Sequence, residues 1–116
     1  MLPVYSVTYL PGCSDELAEL VHEVWIDGEG LPGVCLAGAA GDGFRSLLDS
    51  AARLVHVFEA SSHFSAMQTY HAYLGREAYT TDEAWAFEPY PQSWQSEQKL
   101  GEPEWRALHS RWLSAR

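Results

Sequence analysis

Basic residues are missing from the first 43 positions of this chain: Arg45 is the first, after seven acids between Met1 and Gly43. With 7 Lys and Arg against 16 Asp and Glu, the formal charge is −9. Such a field repels phosphate backbones and anionic lipid, so neither nucleic acid nor a membrane surface is expected as partner, and a basic protein is favoured. Long hydrophobic runs are missing too. Gly, Asp or Glu interrupts every apolar stretch within a few residues, well short of the ~20 needed to cross a bilayer. No basic stretch leading into an apolar one opens the chain, so the cytoplasm is the expected compartment. Cysteine is scarce: Cys13 and Cys35 are too few for a disulfide framework and are expected to be reduced. The turn Gly38-Ala-Ala-Gly41-Asp-Gly43 lacks both the G-x-G-x-x-G spacing and the Gly-Lys-Ser/Thr ending of a phosphate loop, and Asp42 would repel a phosphate. No cofactor is expected.

What is present suffices for one folded domain: 116 residues, 47% of them hydrophobic and 13% aromatic. Pro3 to Leu10 alternates β-branched and aromatic residues as a strand does. Leu17, Leu20, Val21 and Val24 follow helical spacing behind Ser14, which favours a helix over Asp15 to Val24. A strand over Val21 to Ile26 is the competing reading, and the two exclude each other. Asp27 to Gly30 reads as a turn and Gly33 to Ala37 as a short buried strand. A helix capped by Asp42 is expected from Gly43 to about Ser50, with Phe44, Leu47, Leu48 and Ala51 on one face. Arg53 to Ala60 is the clearest strand, expected inside the sheet. Ser61 or Ser62 then caps a helix over His63 to Leu74, which carries Phe64, Met67, His71 and Leu74 along one side and ends at Gly75.

This order predicts an α/β or α+β domain, a small mixed and partly parallel sheet with helices packed on it. From Tyr79 to Trp94 aromatics alternate with acids and prolines, an irregular arm expected to lie extended over the core. The globular part is placed at residues 1–94, followed by an extension over 95–116 with a possible linker at Gln95 to Gly101. In that extension a short helix opens at Pro103 and lines up Trp105, Leu108 and Trp112.

Three sets of side chains are candidates for function. His56, Glu59, His63 and His71 could converge around the exit of the best strand, with Tyr79 and Thr80 nearby. His63 and His71 stand about 12 Å apart along a helix, too far to share a metal with ease, so Glu59 with His63 is the more compact acid/base pair. The competing reading makes all of them structural, with Glu59 neutralising the helix start and His71 filling an amphipathic position. Cys13 precedes a predicted helix N-terminus that would lower its pKa, but Asp15 and Glu16 oppose this. An interaction surface is the third candidate: the acids Asp15, Glu16, Glu19 and Glu23 with the aromatics Trp85, Tyr90 and Trp94, residue types enriched at binding hot spots.

Phe58-Glu-Ala-Ser-Ser-His-Phe-Ser-Ala-Met67, Tyr70-His-Ala-Tyr-Leu-Gly75, Tyr79-Thr-Thr-Asp82 and Glu88-Pro-Tyr-Pro91 with Trp94 resemble a group of small uncharacterised bacterial proteins. The resemblance implies a bacterial cytosolic origin and brings no activity with it. Charge and aromatic placement then favour a non-enzymatic protein-binding module, for example an immunity-type inhibitor of a basic partner. The alternatives are a small-molecule-binding domain or enzyme using Glu59 and His63, and a homodimer built on Trp105 and Trp112.

Overall fold

The computed structural model describes residues 18–114; the strand expected at Pro3 to Leu10, together with Cys13, Asp15 and Glu16, lies outside them. The expected α/β class is what the chain adopts. A three-stranded sheet, order β2-β1-β3, is built from β1 (Leu20–Ile26), β2 (Pro32–Leu36) and β3 (Arg53–Ala60). Helices α1 (Asp42–Arg45), α2 (His63–Leu74), α3 (Gln92–Leu100) and α4 (Glu102–Ser114) complete it.

The helix favoured over Asp15 to Val24 is overturned by β1. Val21, Val24, Trp25 and Ile26 are strand formers, and β1 is the central strand, paired antiparallel with both neighbours. Val21, Glu23 and Trp25 face one side and Leu20, His22 and Val24 the other. All six are buried, so no polar face was left to show the alternation of a strand.

Among the described residues the sheet is therefore antiparallel throughout rather than partly parallel, and β3 lies at its edge rather than inside it. A parallel connection needs a crossover helix long enough to cover the sheet. Between β2 and β3 the chain offers only α1, a single turn of 4 residues. Asp42 does not cap it; its carboxylate pairs with Arg45 at 2.7 Å, and Gly41 takes the N-cap position. A Cβ at Gly41 would collide with the Leu36 carbonyl oxygen, which makes glycine necessary there. Phe44 and Leu48 pack against the core around Trp25 and Leu54, but Leu47 is 83% exposed.

The turn from β1 to β2 is tied by Asp27, whose Oδ1 accepts from the amides of Glu29 and Leu31, each at 2.9 Å. Strand β2 is half-buried, less than expected of it. Where it ends, the Gln98 amide takes over the edge of β1, accepting from Val21 N at 2.8 Å and donating to Val21 O and Ala37 O, both at 3.0 Å.

Helix α2 runs over the expected residues. Ser62 Oγ accepts from Ser65 N at 3.1 Å, and Gly75 closes the helix at φ 74°, where a side chain would be strained. Its buried residues are Ala66 and Tyr70, with Phe64, Met67, His71 and Leu74 half-buried beside them. Ser62→Ala removes a side-chain cap, and urea denaturation is expected to show a loss of about 1 kcal/mol; an unchanged midpoint would mean that the cap is redundant.

Beyond Gly75 the arm is irregular, as expected, with a 3₁₀ turn at Ala84–Phe87. It is pinned to the top of α2 by Tyr90 N donating to Ser61 O at 2.9 Å. The linker expected at Gln95 to Gly101 is replaced by α3. Helix α4 lays Trp105 and Trp112 on the Val21 face of the sheet, Trp105 against Val21 and Ala37, and Trp112 edge-on to Trp25 with centroids 5.4 Å apart. Both rings thus pack inside their own chain. The sheet is covered by α4 on one face and by α2 with the aromatic arm on the other.

Candidate functional site

On the His22 face, sheet, arm and α3 leave a cleft of about 490 Å³ between them, within the range of small-molecule pockets. Strand β1 supplies His22, α2 supplies His63 and Met67, the arm supplies Trp85 and Tyr90, and α3 supplies Trp94. His22 is 4% exposed, and Phe58 of β3 stacks on it with centroids 5.0 Å apart.

The hydrogen bonds of His22 fix its tautomer. Nδ1 lies 2.9 Å from the Leu20 carbonyl oxygen, which can only accept, so Nδ1 carries the proton. Burial pushes the ring pKa down to about 4, against the pull of the Leu20 bond and with help from His63 nearby. The imidazole is therefore neutral at pH 7 and its Nε2 accepts from the Tyr90 hydroxyl at 3.0 Å. Burial also pushes the Tyr90 phenol up to about 12. Neither group is poised as a base or nucleophile near neutral pH; together they form a fixed polar point in an aromatic wall. His63 completes that wall, 4.9 Å from Trp85 and 6.2 Å from Tyr79 between ring centroids.

Four residues singled out in the sequence for two separate reasons, His63 for chemistry and Trp85, Tyr90 and Trp94 for recognition, thus meet in one cleft. Glu59 does not join them. Strand alternation sends its side chain to the face opposite Phe58 and Ala60, where it lines a separate cleft with Glu19, Lys99 and Arg106, while α2 carries His63 onto the Phe58 face. The Glu59 and His63 acid/base pair is not formed. Burial, and then the hydrogen bond and charge of Glu59, raise the Glu19 carboxyl above its ordinary range. His56 stacks flat on Tyr73, centroids 4.3 Å apart. His71 bonds the Glu77 carbonyl at 3.1 Å and meets the edge of Tyr79, while Thr80 is exposed. The expected polar cluster is dispersed along α2, and among the described residues no three His, Cys, Asp or Glu side chains are grouped to hold a metal.

Nor do Glu19 and Glu23, the two described acids of the expected interaction surface, share a surface. Glu19 is exposed, but Glu23 is 0% exposed. Oε1 accepts from Arg45 Nη1 at 2.6 Å, Trp25 Nε1 at 2.9 Å and Cys35 Sγ at 3.4 Å, and Oε2 lies 2.7 Å from His109 Nε2 on α4. Burial alone would push this carboxyl up; His109, Trp25 and Arg45 outweigh it and hold Glu23 below the usual carboxylate range. The Cys35 thiol is pushed up to about 12 by burial and by Glu23, which makes it an inert core residue.

His22, Arg45, Gln98 and His109 had no assigned role in the sequence. Once β1 is a strand, period-two alternation places His22 and Glu23 on opposite faces, and the first base after seven acids becomes the obvious partner for the buried one. His109 had no local signal, since its partner lies 86 residues away.

No family model, curated relative or solved structure matches this chain.

Proposed function

We propose that this chain is a small-molecule-binding domain that takes a compact, largely apolar ligand in the cleft between α2, the aromatic arm and α3. The observation that carries this is the 490 Å³ cleft itself, walled by aromatic rings with one fixed hydrogen-bonding point at the His22 and Tyr90 pair. Predominantly apolar walls with a few well-placed polar groups are what ligand sites consist of. Trp85 and Trp94 are 57% and 46% exposed at its rim, aromatic surface that a ligand would cover.

The electrostatic form of a protein-binding module draws less support, because Glu23 is committed to Arg45 and His109. A protein partner is kept as the second reading by the half-exposed Trp85, Phe87 and Trp94, which would accept an apolar side chain of that partner.

A ligand-observed NMR screen of small aromatic and alicyclic compounds tests the first reading. Hits are expected to lose about tenfold in affinity against Trp94→Ala and nothing against Leu47→Ala, an exposed residue that does not line the cleft. Hits that bind both variants equally, or a screen without saturable hits, would sink it.

A further inference from the structure

The charge of the ligand can be read from what the cleft offers it. Tyr90 has spent its hydroxyl proton on His22 Nε2, so its oxygen turns only lone pairs to the cavity. His22 has both nitrogens engaged, Nδ1 with Leu20 and Nε2 with Tyr90. Glu88 lines the same cleft, and among the described residues no lysine or arginine does. A smaller cavity of about 200 Å³ lies next to it, shares Trp94 and Leu36 with it, and adds the Glu97 carboxylate but again no base. His63 and the indole N–H groups of Trp85 and Trp94 are the donors that the lining side chains hold. The remaining aromatic wall, the rings of Trp85, Tyr90 and Trp94, presents π-faces that attract a cation. A whole-chain charge of −9 acts in the same direction at longer range.

We infer that the cleft selects an organic cation, an ammonium group carried on an apolar or aromatic body, with the nitrogen between the Tyr90 oxygen, the Trp85 and Trp94 rings and the Glu88 carboxylate. This rests on the small-molecule reading of the same cleft and adds the sign of the ligand's charge. A ligand carboxylate or phosphate would find no lysine or arginine among the described lining residues and would face Glu88, and an anion left without a charged partner in a partly dry aromatic site is costly.

Three probes of one shape separate the inference from the reading beneath it: 2-phenylethylamine, 2-phenylethanol and phenylacetate, titrated by calorimetry at pH 8 into the full chain, with the indole N–H signals of Trp85 and Trp94 followed by NMR. The amine is expected to bind about tenfold tighter than the alcohol, with phenylacetate weakest. Glu88→Gln, an exposed position, is expected to weaken the amine about threefold and leave the alcohol unchanged. Equal binding of amine and alcohol, or tightest binding of phenylacetate, would overturn the cation inference while the cleft stays a ligand site. No binding by any of the three, with the two indole signals unmoved, would remove the reading and the inference together.

Discussion

Glu23→Ala is expected to destabilise the domain by about 3–5 kcal/mol, read as a fall in the urea midpoint at pH 7. The carboxylate is fully buried and its partners nearly so, with side-chain exposure of 16% for Arg45 and 10% for His109. Removing it leaves a guanidinium, an imidazole and an indole N–H without their acceptor in a space where water cannot substitute. A small domain has about 5–15 kcal/mol in all, so the variant should be partly unfolded at room temperature. Glu23→Gln retains one acceptor oxygen, and its loss is expected to be about half as large. A Glu23→Ala loss below about 1 kcal/mol would show that the cluster is solvated in solution. Because the folded carboxyl is held below its usual range, this contribution is present at neutral pH and is lost only as pH falls through that lowered value.

Mild acid should weaken the fold before that, through His22. Unfolded, the ring titrates at 6.5; folded, burial holds it at about 4. As pH falls between these values the unfolded chain takes up a proton that the folded one refuses, so stability is complete above pH 6.5 and drains away toward pH 4. At about 1.4 kcal/mol for each pH unit between them, the full loss comes to about 3.5 kcal/mol. Glu19 works in the opposite sense, since its raised carboxyl sheds repulsion with Glu59 on protonation, and Glu23 responds only at lower pH. Urea midpoints at pH 7 and 4.5 should therefore converge in His22→Gln, which cannot titrate but can still bond Leu20 and Tyr90. An undiminished difference between the two midpoints would assign the acid sensitivity to another group.

Where a segment buries one face and has sharp punctuation, sequence patterning locates it. Strand β3 and helix α2 were legible to the residue, because Ser62 and Gly75 punctuate α2 and β3 strings Leu54, Val55, Val57 and Phe58 along a short run. Strand β1 was not, because burial on both faces removes the alternation and leaves Leu20, Val21 and Val24 at spacings that suit a helix equally well. Helix α3 was hidden by its polarity: Gln-Ser-Trp-Gln-Ser-Glu-Gln-Lys-Leu has no apolar stripe and no buried residue, and it is held by the amide of Gln98 instead. The cleft was half legible. Its aromatic residues stand out by type, whereas His22 has no signal until β1 has a register, and alternation along β3 turns Glu59 away from Phe58 while α2 carries His63 onto the Phe58 face.

The Glu23 cluster also orders events during synthesis. Strand β1 emerges from the ribosome carrying a carboxylate destined for a dry interior, its Arg45 partner comes 22 residues later, and His109 comes 86 residues later. Sheet pairing with β2 and β3 can begin as soon as those strands are made, but burying Glu23 without α4 leaves one of its oxygens bare and Val21 and Trp25 uncovered. A nascent chain halted before α4 thus holds a sheet with one wet face, prone to association, and docking of that last described helix converts it into a finished domain.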